Sequence, residues 1–172
     1  QNRNAHRCPA FASSAIRALF DRVVIPAEVA ADVRRAYAGL GGAEPAVAVR
    51  SSATAEDLPK RSFAGQQESY LNVRGEAELL VAVCRRWASL WTARAIGYRL
   101  RMGLGQDEVA IAVVVQTMVA ADVAGVCFTA NPTSGDRTEL VVDASFGLGE
   151  AVVSGRVTPD RYILDRDALA SK

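Results

Sequence analysis

The feature that most constrains the fold is a series of short strands joined by tight turns in the second half of the chain. Residues 109–119 are rich in β-branched side chains and read as a strand. Asp122 makes a turn, residues 124–130 read as a second strand, and Asn131-Pro-Thr-Ser-Gly-Asp136 is a strong turn signal. Residues 139–144 and 161–164 read as two further strands. Strands joined so closely pair antiparallel, because a parallel crossover needs a dozen or more residues. The expected class is therefore α+β, a mainly antiparallel sheet with flanking helices, and not the alternating pattern of a doubly wound fold.

The helices are expected in the first half. Phe11, Ile16, Leu19 and Phe20 stand near helical spacing over residues 11–21. Pro26 suits the first turn of a second helix, with Val29, Val33, Tyr37 and Leu40 on one face and Gly41-Gly42 as its stop. The longest helix is expected over residues 75–95, where Leu79, Leu80, Val83, Trp87, Leu90 and Trp91 form a wide apolar stripe. Its two tryptophans could stack on a base, but as a continuation of the stripe they read as core. Arg85, Arg86, Arg94, Arg99 and Arg101 read as a solvated face paired with acids in preference to a basic patch.

Between these helices lies the stretch with the most chemical content. Val47-Ala-Val49 reads as the end of a buried strand, Arg50 follows at once, and a polar loop then runs to Gly65 and Gln66. Strand-like alternation resumes over residues 67–73. Arg50 would supply a forked positive charge for phosphate oxygens, and Ser51, Ser52 and Thr54 hydroxyl donors. Gly65 would let backbone approach a ligand with no Cβ in the way. The plain alternative is a solvated loop rich in Ser, Thr and Gly.

Composition narrows the function classes. At 172 residues, half of them hydrophobic and with a net charge of +1, the chain suggests neither a nucleic-acid nor a membrane partner. Cys8, Cys84 and Cys127 lie far apart with no Cys-x-x-Cys spacing, so they are expected to be reduced thiols in a cytoplasmic protein, with no metal site. No Gly-Lys dipeptide occurs, which removes the Walker A loop, and the His-Arg-Asp and Asp-Phe-Gly set of protein kinases is absent. His6 is the single histidine, so no histidine triad or phosphohistidine relay operates within the chain. Gly147-Leu-Gly149 resembles the start of a dinucleotide fingerprint, yet the third glycine position holds Val152. The chain opens on Gln1 without a methionine and closes on Ala170-Ser-Lys172, as a piece of something longer would.

Arg50-Ser-Ser-Ala-Thr-Ala-Glu-Asp-Leu-Pro, followed by Ser62-Phe-Ala-Gly-Gln-Gln, closely resembles the phosphate-binding segment of the pyruvate phosphate dikinase N-terminal domain family. That family includes phosphoenolpyruvate synthases and rifampin phosphotransferases, and its fold is ATP-grasp. Gly125-Val-Cys-Phe-Thr-Ala-Asn-Pro132 and Gly147-Leu-Gly-Glu150, with Val153-Ser-Gly and Thr158-Pro-Asp after it, are similar to further motifs of the family. The resemblance runs from about residue 11 to residue 165. It implies a single partial ATP-grasp domain over 1–172, with a ragged start at 1–10, a helical lead-in at 11–45 and a nucleotide-binding core at 46–172. It implies ATP held between two lobes, Mg²⁺ bridging phosphates, and a phosphoryl group passed to a histidine of another domain. Arg50 would be the catalytic contact, with Ser51, Ser52, Thr54, Gly65 and Gln66 around the phosphates. Gln116 would meet the exocyclic amine of adenine, the Val119 backbone a ring nitrogen, and Met118 the base. Read without the resemblance, Gln116 is a polar residue at a strand end. Glu150 would lie at the ribose or a metal-bound phosphate, or else serve the turn, and Asn131 caps its own turn.

Two parts of the family pattern are missing: a glycine-rich opening segment with a lysine, and a closing Glu with a Gln-x-Arg pair. Lys60-Arg61 is more basic than the usual pair, as added phosphate attraction or as plain surface. The partners implied are ATP and the phosphohistidine and acceptor-binding domains of a parent protein. By itself the chain is expected not to turn over. The alternatives are the corresponding domain of a rifampin phosphotransferase, and a non-catalytic nucleotide-binding or partner-docking module.

Overall fold

The computed structural model describes residues 9–53, 69–106 and 109–170. The chain divides into two compact units, Gln1–Met118 and Val119–Lys172, and each is α+β with an antiparallel three-stranded sheet.

In the first unit, α1 (Pro9–Phe20) and α2 (Ala27–Ala38) precede strand β1 (Val47–Ala53). Strand β2 (Tyr70–Val73), helices α3 (Glu76–Ser89) and α4 (Ala93–Met102), and strand β3 (Ile111–Thr117) follow. β1 is the central strand of the order β2-β1-β3. It does not end at Val49 as the sequence suggests. All seven of its residues pair with β3, from Val47 opposite Thr117 to Ala53 opposite Ile111. The β-branched run of β3 supplies a partner ladder long enough to hold Arg50, Ser51 and Ser52 extended, where their own propensities favour a loop.

The pleat then sorts side chains by parity. Val47 and Val49 are fully buried and pack with Ile25, Tyr37, Val73, Leu79 and Val83. Partly buried Val113 and Val115 of β3 join the same core. On the other edge of β1, toward β2, the register shifts, with Val47 opposite Val73 but Val49 opposite Tyr70. Asn72 absorbs the extra residue at φ 58°, a conformation its short polar side chain tolerates. That bulge lets Tyr70 and Val73, three apart, both reach the core.

The helix expected over residues 75–95 is two helices. Thr92 interrupts it, because its hydroxyl caps α4 by accepting from the Ala95 amide at 3.2 Å. Leu79, Leu80, Val83 and Trp87 of the predicted stripe do meet the core, while Leu90 and Trp91 lie in the connection between α3 and α4. Tyr37 pins the end of α2: its hydroxyl donates to the Pro45 carbonyl at 2.8 Å and accepts from the Gly75 amide at 2.9 Å. On α1, Phe11 and Leu19 are exposed, and the buried position is Ser13.

The arginines depart from expectation most. Arg85, Arg94 and Arg101 are solvated, but Arg86 is 1% exposed and Arg99 is 0% exposed. Arg99 donates to Gln106 Oε1 and to the Leu90 carbonyl, both at 2.8 Å, and lies over the Trp91 ring. It thereby ties α4 to the turn before it, and burial pulls its pKa below the ordinary arginine value.

The second unit contains β4 (Val123–Phe128), β5 (Glu139–Phe146), α5 (Gly149–Val153), β6 (Asp160–Asp165) and α6 (Arg166–Ala170). β5 is central, between antiparallel β4 and β6. Val141 and Asp143 are its buried residues. Asp143 lies opposite Arg161 and accepts two hydrogen bonds from it at 2.7 Å each, a fork geometry that satisfies both carboxylate oxygens. Asn131 closes its turn as expected, accepting from the Thr133 amide at 2.9 Å and donating to Glu139 at 2.7 Å.

Candidate functional site

Parity on β1 decides which predicted residues meet. Arg50 and Ser52 share the face opposite to Val47 and Val49, and both are exposed. Their direct partners on β3 are Val114 and Ala112, and Gln116 lies opposite Ala48 on this same face. The open face of the sheet therefore carries a guanidinium, a hydroxyl and an amide in one row, spaced along two paired strands. Among the described residues Arg50 makes no ion pair. A forked donor beside an amide able to donate and accept can hold an oxyanion and read a polar ring edge.

Ser51 does not join this row. It lies on the core-facing side of β1, where its Oγ accepts from Arg86 Nη1 at 3.5 Å. Its partner there is a residue that the sequence reading assigned to solvent. Arg86 stands three residues after Val83 and seven after Leu79, so the spacing of the apolar stripe itself contained the signal.

Met118 continues from β3, half-buried, its amide donating to the Ala46 carbonyl at 2.9 Å. Val119 opens the second unit with its side chain 75% exposed and its carbonyl accepting from the Ala121 amide. Glu150 lies in the first turn of α5, exposed, 3.7 Å from Arg156 Nη2. The turn before it is set by Gly147 at φ 83°, whose amide donates to the Asp122 carbonyl at 2.8 Å. Thr54, Gly65, Gln66 and the Lys60-Arg61 pair lie outside the described residues.

A cavity of 670 Å³ opens elsewhere in the first unit, lined by Val23, Val24, Ile25, Leu80, Val81 and Cys84 among others. No predicted site residue lines it. Its lining is largely aliphatic, which does not suit a polyphosphate, and burial pushes the Cys84 thiol pKa up, away from the reactive thiolate. Among the described residues no group of three His, Cys, Asp or Glu side chains is arranged to hold a metal ion. No helix among them is long and apolar enough to cross a membrane.

The model of the family described as "Pyruvate phosphate dikinase, AMP/ATP-binding domain" matches residues 7–172. The chain belongs to this family. It is 52% identical over 158 residues to a phosphoenolpyruvate synthase of Pyrococcus furiosus, covering 90% of this chain and 19% of that protein. It is 48% identical over 162 residues to one of Aeropyrum pernix, covering 92% and 20%. A rifampicin phosphotransferase of Streptomyces sviceus is 53% identical over 150 residues, covering 87% and 17%. The chain thus spans about a fifth of the length of these relatives.

Proposed function

We propose that this chain is the ATP-binding part of a dikinase-type phosphotransferase of the phosphoenolpyruvate synthase kind, which passes phosphate from ATP to a histidine on another domain. The observation that carries the reading is the row of Arg50, Ser52 and Gln116 on the open face of one sheet, in a chain of a nucleotide-binding family. In this reading residues 1–172 form a single partial ATP-grasp-type domain of a cytoplasmic protein. Arg50 forks onto phosphate oxygens and Ser52 donates its hydroxyl beside it. Gln116 meets the exocyclic amine of adenine, Met118 packs on the base, and the Val119 backbone meets a ring nitrogen. Ser51 supports the strand from behind, and Thr54, Gly65 and Gln66 complete the phosphate contacts.

A Mg²⁺ ion fits such a site with few protein ligands, since it keeps several waters and binds through one or two carboxylates and the phosphates. Glu150, exposed and 3.7 Å from Arg156, would lie at the ribose or at a metal-bound phosphate, and the ion when bound would neutralise phosphate charge. Similar identity to relatives of both names extends the reading to a rifampicin phosphotransferase, which differs in the acceptor. Supplying the intact protein with ATP and either pyruvate or rifampicin separates the two.

Titrating Mg·ATP into the intact protein by calorimetry, beside Arg50→Ala, tests the site. A loss of about 1–3 kcal/mol is expected from removing a charged hydrogen-bond donor. Equal binding by the two proteins would remove Arg50 from the phosphate site. No binding by the parent would overturn the nucleotide reading altogether.

A further inference from the structure

Arg86 is a buried charge for which the nucleotide reading has no use. It is 1% exposed, and among the described residues its polar contacts are with a hydroxyl and a ring. Nη1 donates to Ser51 Oγ at a long 3.5 Å, the guanidinium lies 4.5 Å over the Tyr70 ring, and Nε has no hydrogen-bond partner. No carboxylate among the described residues pairs with it. A long hydrogen bond and a ring face compensate only part of the desolvation of a cation so enclosed, a cost that an apolar side chain of similar shape would not carry. Arg50, one residue along from Ser51 and on the opposite face of β1, also lacks an ion pair among the described residues. Among the described residues, two guanidiniums without carboxylate partners therefore flank one strand, and both would attract an anion on its open face.

We propose that Arg86 is a positioning residue for the polyphosphate: from behind β1 it fixes Ser51, and with it the backbone that presents Arg50, while adding positive potential at the open face. A guanidinium only donates, so Ser51 Oγ is held as acceptor and that stretch of β1 is anchored to α3. The field acts across a single strand, through protein of lower dielectric than water, before it meets the solvated open face. This role rests on the nucleotide reading above.

The test uses the intact protein and its Arg86→Met, Arg86→Lys and Ser51→Ala variants. Three probes are titrated: a β,γ-imido analogue of ATP, inorganic tripolyphosphate and adenosine. Arg86→Met is expected to bind both phosphate-bearing probes about tenfold more weakly, to bind adenosine as the parent does, and to melt no lower than the parent without ligand. Arg86→Lys, which keeps the charge, should recover part of the phosphate affinity. Unchanged affinity for the phosphate probes overturns the proposal, as does an equal loss for adenosine, which would mark Arg86 as a packing residue alone. If Arg86→Met fails to fold, Ser51→Ala decides: it leaves the guanidinium in place, and unchanged tripolyphosphate affinity overturns the proposal. A parent that binds tripolyphosphate in an Arg86-dependent way but not the ATP analogue would sink the nucleotide reading and leave the role of Arg86 standing. A parent that binds neither ends both.

Discussion

At the scale of single residues, Asp143 is the side chain whose protonation the fold controls most directly. The two hydrogen bonds from Arg161 hold its carboxyl below the ordinary aspartate range, and its burial in β5 opposes them without prevailing. Because the folded value is depressed, the stability it contributes is fully present above the unfolded value of about 3.9 and is lost as pH falls through the lower folded value. Asp143→Asn should therefore be less stable than the parent at neutral pH. The gap should close in acid, and urea unfolding from pH 7 down to pH 3 would show it; a gap independent of pH would mean that the pair contributes geometry alone. Little of this was legible beforehand, since Asp143 stood in the sequence only as one polar residue of a predicted strand. Arg86 and Ser51 teach the same lesson. Ser51 and Arg50 are neighbours in sequence, and neighbours in a strand point to opposite faces. Once the extent of β1 is known, the grouping of Arg50 with Ser52 and Gln116 follows from counting.

Among the elements, the strands of the second unit were the most legible, because β-branched runs between turn signals leave few alternatives. β4, β5 and β6 lie within two residues of their expected ends. Local propensity ends β1 at Val49, because the extension beyond it depends on a partner about sixty residues away. The break between α3 and α4 was missed because the apolar stripe continues through it, although Thr92 marked it. Glycine carried a further signal in β4. A Cβ on Gly125 would stand 2.5 Å from the Asp143 carbonyl oxygen and 3.0 Å from the Ala144 Cα, both on the facing strand. Gly125→Ala must push β4 away from β5, and overpacking of this sort costs about 1–3 kcal/mol. The urea midpoint should fall accordingly; an unchanged midpoint would mean that the strands part more easily than their ladder suggests.

For the whole molecule, the candidate residues are divided by the chain itself. Arg50, Ser52, Gln116 and Met118 belong to the first unit, Val119 and Glu150 to the second. Amide hydrogen exchange with and without Mg·ATP checks whether one ligand engages both. Protection is expected along β1 and β3 and again around residues 147–151, since binding protects the amides it orders. Protection confined to the first unit would strike Glu150 from the site. The family resemblance was legible from short motifs, while the partition of those motifs between two sheets was not, because motif matching carries no information about which backbone segments share a ladder.

The seven-residue pairing of β1 also gives this stretch a rhythm under selection. Residues 47, 49 and 51 answer to the interior, and residues 50 and 52 to whatever occupies the open face. In a library of every substitution from 47 to 52, cellular abundance should fall most at the buried positions 47, 48 and 49 and ligand capture most at 50 and 52, with Ser51 answering to both. The same six codons would then be read by two different selections that meet at Ser51.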